Sequence, residues 1–265
     1  MWLASRLTLL TPVRALGRPV LKLMNLAGSL TIFSLRALLA CLTPRWYLRQ
    51  IFRQIIAVGF MSLPVIGLTA IFTGAALALN IYTGGARFNA EQVVPQIVAL
   101  GITRELAPVL TALMLAGRVA ATIAAEIGAM RSSEQIDAMR TLSTDPFRYL
   151  IAPRVIAGVL SLPVLTAVAD IVGIAGGWLV STTTLNFNPT IYARATVEFL
   201  EPWDVQSGLI KGAVFGFIVT LMGCYHGYRA VGGAQGVGRA ATGAMVWSGV
   251  LIFVANYALT TALTR

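Results

Sequence analysis

Five charged side chains stand inside stretches that are otherwise apolar: Arg104, Glu105, Arg118, Asp170 and Lys211. An ionised group at membrane depth is expensive, so each of them is expected to face protein or a water-filled cavity. Three kinds of chemistry fit such residues. A guanidinium holds a phosphate through charge-assisted hydrogen bonds. Opposite charges pair and fix the register of neighbouring helices. Two carboxylates such as Glu105 and Asp170 can relay protons in an ion-coupled carrier. Arg104 and Glu105 are adjacent and lie close to Pro108. They read as a polar lip at the outer end of a helix, with Arg104 for a phosphate and Glu105 orienting that arginine or repelling a misplaced headgroup. For Asp170 and Lys211 internal pairing is the expectation.

Catalytic and cofactor chemistry have little support. His226 is the only histidine and has no second ligand type beside it, so a membrane-surface residue is expected rather than a base. Cys41 and Cys224 are isolated, which gives neither a disulfide framework nor metal-ligand spacing. No nucleophile, base and orienter set is visible, so an enzyme is not expected. Gly236-x-Gly238-x-x-Ala241 is close to a dinucleotide fingerprint, but it follows an apolar segment instead of a strand and reads as a flexible loop. There is no Walker A sequence, so no cofactor is expected to bind the chain directly, and any ATP would be used by a partner.

The elements that must position these charges are helices of an integral membrane protein. The chain has 265 residues, 57% of them hydrophobic and 11% charged, with a mean hydropathy of +0.79. That is more apolar surface than one soluble domain can bury. The net charge of +10 comes from Lys and Arg flanking apolar runs, without the motif context of a nucleic-acid binder, so an anionic membrane surface is the better partner.

The order along the chain is an N-terminal interfacial region, residues 1–54, followed by one transmembrane domain, residues 55–265. Basic residues at 6, 14, 18, 22, 36, 45, 49 and 53 alternate with apolar ones and no acid intervenes, which suits an amphipathic helix in the interface. Leu38-Leu39-Ala40-Cys41 loosely resembles a lipoprotein cleavage box, but Arg36 interrupts the run before it and favours an interfacial or partly inserted helix. About five crossings follow: residues 55–80, 101–125, 155–180, 205–225 and 241–263, each near the roughly 20 residues that span a hydrocarbon core. Gly173/Gly177 and Gly212/Gly216 have the small-xxx-small spacing that lets helices approach closely. Between crossings two and three, Ser132 and Gln135 have capping-box spacing. Ile136, Met139 and Leu142 recur at steps of three, so residues 132–142 read as a helix on the membrane face with its apolar side inward. Asp145-Pro146 reads as an N-cap and first-turn proline that send the chain back into the bilayer.

The region from 101 to 146 carries a specific likeness. Arg104-Glu105-Leu106-x-Pro108-Val109, Ala116-Gly117-Arg118, Ala125-Glu126-Ile127-Gly128-x-Met130, Glu134-Gln135, Ala138-Met139 and Asp145-Pro146 occur in one order and spacing. This set resembles the signature of the MlaE/YrbE permeases, membrane subunits of ABC transporters that work with MCE proteins on lipids. Similarity outside that core is weaker, and Ala107 stands where the family usually has glycine. The resemblance implies a homodimer with two copies of an ABC ATPase subunit, a periplasmic MCE-domain protein and a small accessory subunit. It implies a phospholipid or related lipid as cargo, held by Leu79, Tyr82, Arg104, Glu105 and Leu106 at the outer end of the dimer interface. It also implies that residues 132–142 form a coupling helix, with Glu126, Arg131, Glu134, Gln135, Asp137, Met139 and Arg140 at the ATPase contact. The alternatives are the ion-coupled secondary transporter, which should show inverted repeats that are not apparent, and a membrane enzyme.

Loop charges set the orientation. Fourteen basic residues fall in segments 1–54, 126–154 and 226–240, against Arg87, Arg194 and Arg265 on the other side. The positive-inside rule therefore places a multi-pass protein in the inner membrane with a cytoplasmic N-terminus and a periplasmic C-terminus.

Overall fold

The computed structural model describes residues 21, 24–25, 27–43, 47–85 and 93–263, and among these it is helical with no strand. The basic residues 6, 14, 18, 22 and 45, the loop residues Arg87 and Glu91, and Arg265 lie outside the described residues. Helices α1 (Ala27–Leu42), α2 (Leu48–Gly85), α3 (Val94–Ser132), α5 (Phe147–Thr183), α7 (Pro202–Tyr228) and α8 (Gly233–Leu263) make up the bundle. Two shorter helices, α4 (Gln135–Thr141) and α6 (Pro189–Phe199), lie between them. Five of these, α2, α3, α5, α7 and α8, are long and apolar enough to cross a membrane, as the sequence predicts.

The crossings are longer than hydropathy alone suggests. The second begins at Val94, about two turns before Gly101, so Arg104 and Glu105 lie inside α3 and not at its outer end. The fifth begins at Gly233, and Gly236 and Gly238 are helical rather than in a loop. The reversal happens earlier, at Gly232 and Gly233, where φ is +98° and +63°. A Cβ on Gly236 would sit 2.1 Å from Val231 O, so the turn folds directly onto the helix that follows it.

Prolines shape the helices at identifiable places. Pro64 has no N–H for Phe60 O, and Leu63 N bonds that carbonyl from one residue closer, which gives a 3₁₀ turn at Phe60–Ser62 within α2. Asp145 Oδ1 accepts from Phe147 N at 3.0 Å with Pro146 in the first turn, so the expected cap is present. The capping box at Ser132 is not: Ser132 is the last residue of α3, Glu134 takes a left-handed conformation (φ 58°), and α4 starts only at Gln135. Ile136 is buried and Met139 packs on the core, but Leu142 is 77% exposed, so the inward apolar face ends one turn earlier than its period suggests. The polar stretch before α7 holds α6, capped by Asn188, whose Oδ1 accepts from Thr190 N and Ile191 N.

Small residues let the spans meet at backbone distance, the packing expected where lipid offers no hydrophobic drive. A Cβ on Gly74 of α2 would lie 1.8 Å from Gly173 O of α5, and one on Gly216 of α7 would lie 2.3 Å from Gly158 O of α5. About two to three turns further along the same stripe of α7, Gly223 and Gly227 abut Ala120 and Ala124 of α3. α1 lies across the α4 side of the bundle, where Phe33 packs against Phe147, Tyr225 and Tyr228. Its Ile32, Leu35, Leu39 and Leu42 remain exposed.

Candidate functional site

Arg104, Glu105 and Lys211 line one cavity of about 250 Å³, together with Ile97, Gly101, Ser207 and Thr260. Proline chemistry accounts for its shape. Pro108 stands four residues after Arg104 and has no N–H to give to Arg104 O, and its ring crowds that carbonyl. The helix widens into a π turn over Ile102–Leu106, a distortion frequent at functional positions. The freed Arg104 carbonyl then accepts a hydrogen bond from Lys211 Nζ at 2.7 Å.

The same ammonium donates to Glu105 Oε1 at 2.8 Å and to Thr260 Oγ1 at 2.8 Å, so its three protons are all used. Thr260 Oγ1 also lies 2.8 Å from Glu105 Oε1, and Asn256 Nδ2 donates to Glu105 Oε2 at 2.9 Å. α3, α7 and α8 are thereby joined through one buried lysine that is 2% exposed. The expected internal pairing of Lys211 is thus present.

Arg104 does not lean on Glu105, contrary to the sequence expectation. Its Nε is 2.5 Å from Asp204 Oδ1, while Asp204 Oδ2 accepts from Glu201 N and completes the capping box that starts α7. Glu105 cannot orient the arginine because both its oxygens are committed to α7 and α8. Arg104 Nη1 and Nη2 are in no hydrogen bond or ion pair among the described residues, and its side chain is 33% exposed at the cavity wall. This leaves two parallel donors, the geometry that grips a phosphate or carboxylate.

The other residues expected around a lipid are placed differently. Leu106 faces a narrow cleft with Ile66, Ala70 and Ala169 instead of this cavity. Tyr82 packs edge-on against Phe187 at 5.9 Å, and Leu79 is 38% exposed on α2. Asp170 has no internal partner: it is 5% exposed, and neither of its oxygens has a hydrogen bond among the described residues. The Lys211 ammonium is committed to Arg104 O, Glu105 and Thr260 and does not pair with it.

The residues expected at an ATPase contact form a partly closed network. Arg131 Nη1 lies 2.8 Å from both Asp137 oxygens, and Arg140 bonds Asp137 as well as the Tyr228 hydroxyl. Glu126 pairs with Arg154 at 2.9 Å, which ties α3 to α5. Asp137 is thus paired within the chain while its side chain stays half exposed. Glu134, Gln135 and Leu142 are exposed. Asp204, Asn256 and Thr260 carried no signal in the sequence beyond a cap position for Asp204, because their role depends on helices that meet only in the fold.

Five long apolar helices with Arg104, Glu105 and Lys211 gathered at one cavity are the architecture of a membrane permease. The chain belongs to the MlaE permease family: the family model described as Permease MlaE matches residues 51–262. A probable ABC transporter permease protein of Rickettsia felis is 49% identical over 252 residues, 95% of this chain and 97% of that protein. The intermembrane phospholipid transport system permease protein MlaE of Haemophilus influenzae is 32% identical over 94% of this chain and 95% of its own length. The chloroplastic protein TRIGALACTOSYLDIACYLGLYCEROL 1 of Arabidopsis thaliana is 38% identical over 87% of this chain and 66% of that protein. The chain is an ABC transporter permease, multi-pass in a membrane.

Proposed function

We propose that the chain is the transmembrane subunit of an ABC transporter that moves phospholipid or a related lipid between the inner membrane and a periplasmic MCE protein. Two copies form the lipid cavity between them, two ATPase subunits drive it, and a small accessory subunit completes the complex. The observation that carries the reading is the pair of unengaged Arg104 Nη groups at the wall of a cavity whose lining also includes Ile97, Leu100 and Leu263. A lipid needs an apolar space for its chains and a few placed donors for its head, and this cavity offers both. The printed name of the Haemophilus influenzae relative, a phospholipid transport permease, supports the same cargo.

Leu79, Tyr82 and Leu106 join this site from the first and second crossings once two copies meet. The N-terminus is cytoplasmic and the C-terminus periplasmic, in keeping with the five apolar spans among the described residues and with the loop charges. The α4 end then faces the ATPase, with Glu134, Gln135 and Leu142 outward and Val231, 79% exposed, in the adjoining turn. ATP is bound by that partner and not by this chain.

The test is to purify the chain from its native membrane and identify what comes with it. Phospholipid retained by the wild-type protein and lost from Arg104→Gln, with an ATPase and an MCE-domain protein in the same preparation, is the expected result. Equal lipid retention by Arg104→Gln would place the headgroup elsewhere. Purification without any ATPase would overturn the transporter assembly.

A further inference from the structure

A second charged position in α3 has no counter-charge. Arg118 lies fourteen residues beyond Arg104, about 21 Å along the helix at 1.5 Å per residue, and it occupies the π turn Ala116–Ala120. It donates to the Ser62 hydroxyl and, at 3.4 Å, to Ala57 O. Both acceptors exist because α2 is interrupted opposite it. The 3₁₀ turn at Phe60–Ser62 breaks the α-helical ladder, which leaves Ala57 O for the guanidinium and Val58 O for the Ser62 hydroxyl at 2.6 Å. Two helix distortions thus face each other across one arginine.

Among the described residues no carboxylate lies within ion-pair distance of Arg118. Glu126, two turns further along α3, is neutralised by Arg154. An unpaired guanidinium inside a crossing requires water or an anion, and it keeps donors beyond the two in use. It opens on a cavity of about 200 Å³ lined by Gln54, Ala57, Met61, Thr122 and Glu126. On the same stripe of α2 as Ala57, at steps of four, stand Arg53 and Arg49, both exposed and in no ion pair among the described residues. They line a neighbouring surface cavity of about 650 Å³. Positive charge therefore runs from the α4-side membrane surface inward to Arg118.

We propose that this cavity is a second lipid site, in which Arg118 binds the phosphate of a phospholipid from the α4-side leaflet after Arg49 and Arg53 have drawn its headgroup to the surface. It rests on the reading of the chain as a lipid transporter. A lipid in transit would exchange between the Arg118 and Arg104 sites on opposite halves of α3, each built on a π turn that directs a guanidinium out of the helix. The phosphate chemistry would also accept free inorganic phosphate, so the test must separate the two sources.

The full chain is reconstituted in phosphatidylcholine nanodiscs containing a phosphatidylethanolamine whose photoreactive group sits beside the headgroup, and crosslinked peptides are mapped by mass spectrometry. Wild type is expected to be labelled in two places, around Arg104 and around residues 54–61 and 118–126. Arg118→Gln removes a charge-assisted hydrogen bond and should lower the second set by about tenfold while leaving the first, which also reports that the variant is folded. Arg118→Lys, which keeps the charge, should retain most of it. Unchanged labelling in Arg118→Gln, equal labelling by a photoreactive diacylglycerol that lacks phosphate, or abolition of the signal by added inorganic phosphate would each overturn the proposal. So would absent labelling near Arg118 together with a disulfide between copies carrying Thr122→Cys, since the counter-charge would then come from a second copy. Labelling lost at both sites in wild type speaks instead against lipid as the cargo.

Discussion

Lys211 and Glu105 are 106 residues apart in sequence and 2.8 Å apart in space, with the lysine 2% exposed and the glutamate side chain 40% exposed. Their unequal burial predicts unequal mutants. Glu105→Leu strands a buried ammonium that keeps only Arg104 O and Thr260 as partners, and removing one member of a buried pair costs about 3 kcal/mol. Lys211→Met leaves a carboxylate that water can reach and that Asn256 and Thr260 still bind, so its effect should be smaller. The double variant should recover much of the loss, giving a clear coupling energy in a double-mutant cycle measured by thermal unfolding in detergent. Additive losses would show that the pair does not act as a unit.

Asp204 has two roles that can be separated. One oxygen caps α7 and the other holds Arg104. Asp204→Asn keeps an acceptor for the cap but loses the charge, so stability should stay near wild type while Arg104 swings free and lipid retention falls. Asp204→Ala should lose both, with a further destabilisation of about 1 kcal/mol from the missing cap. Thermal unfolding and lipid content measured on the same preparations distinguish the two effects.

Gly74 packs so closely on α5 that an added methyl would overlap Gly173 O. Gly74→Ala should therefore push α2 away from α5 and lower the unfolding temperature. Gly67→Ala, on the same helix with nothing within 4 Å of its Cβ, should be neutral or raise stability by up to about 1 kcal/mol through helix propensity. If the two alanines behaved alike, backbone contact at Gly74 would not be what joins these helices.

The glycine spacings show why part of this architecture could be read from the sequence. Apolar runs, small-xxx-small pairs and the Asp145-Pro146 cap are local signals, and the five crossings and their close packing follow from them. The Arg104–Asp204 and Lys211–Glu105 pairs join residues about a hundred positions apart, and no local pattern marks which charge will meet which. Helix ends were the other blind spot. Val94–Gly101 follows directly on a polar stretch and Gly233–Ala240 is rich in glycine, so hydropathy leaves both outside or at the edge of the crossings, yet both are helical and lengthen them. Ser132 and Gln135 have capping spacing, but α3 runs on through Ser132 and uses that residue as helix, so the cap has no end to close.

The turn between α3 and α4 offers the cleanest test of ATPase coupling, provided the exposed residues are separated from the engaged ones. Asp137 is held by Arg131 and Arg140, so Asp137→Lys would set three cations together and loosen the turn itself. Loss of a partner in that variant would not identify a contact. Glu134 is exposed and in no ion pair among the described residues, and Leu142 is 77% exposed. Glu134→Lys and Leu142→Glu change the surface without removing an internal bond, and charge changes at an interface rim weaken association without unfolding either protein. Both variants should keep the wild-type unfolding temperature and resistance to protease while the co-purifying ATPase falls several-fold, roughly what 1 kcal/mol of lost binding gives. Asp137→Lys should lose protease resistance in the turn as well. Undiminished ATPase in both surface variants would mean that α4 is a solvated connector and that the partner docks on the Val231 turn or on α1 instead.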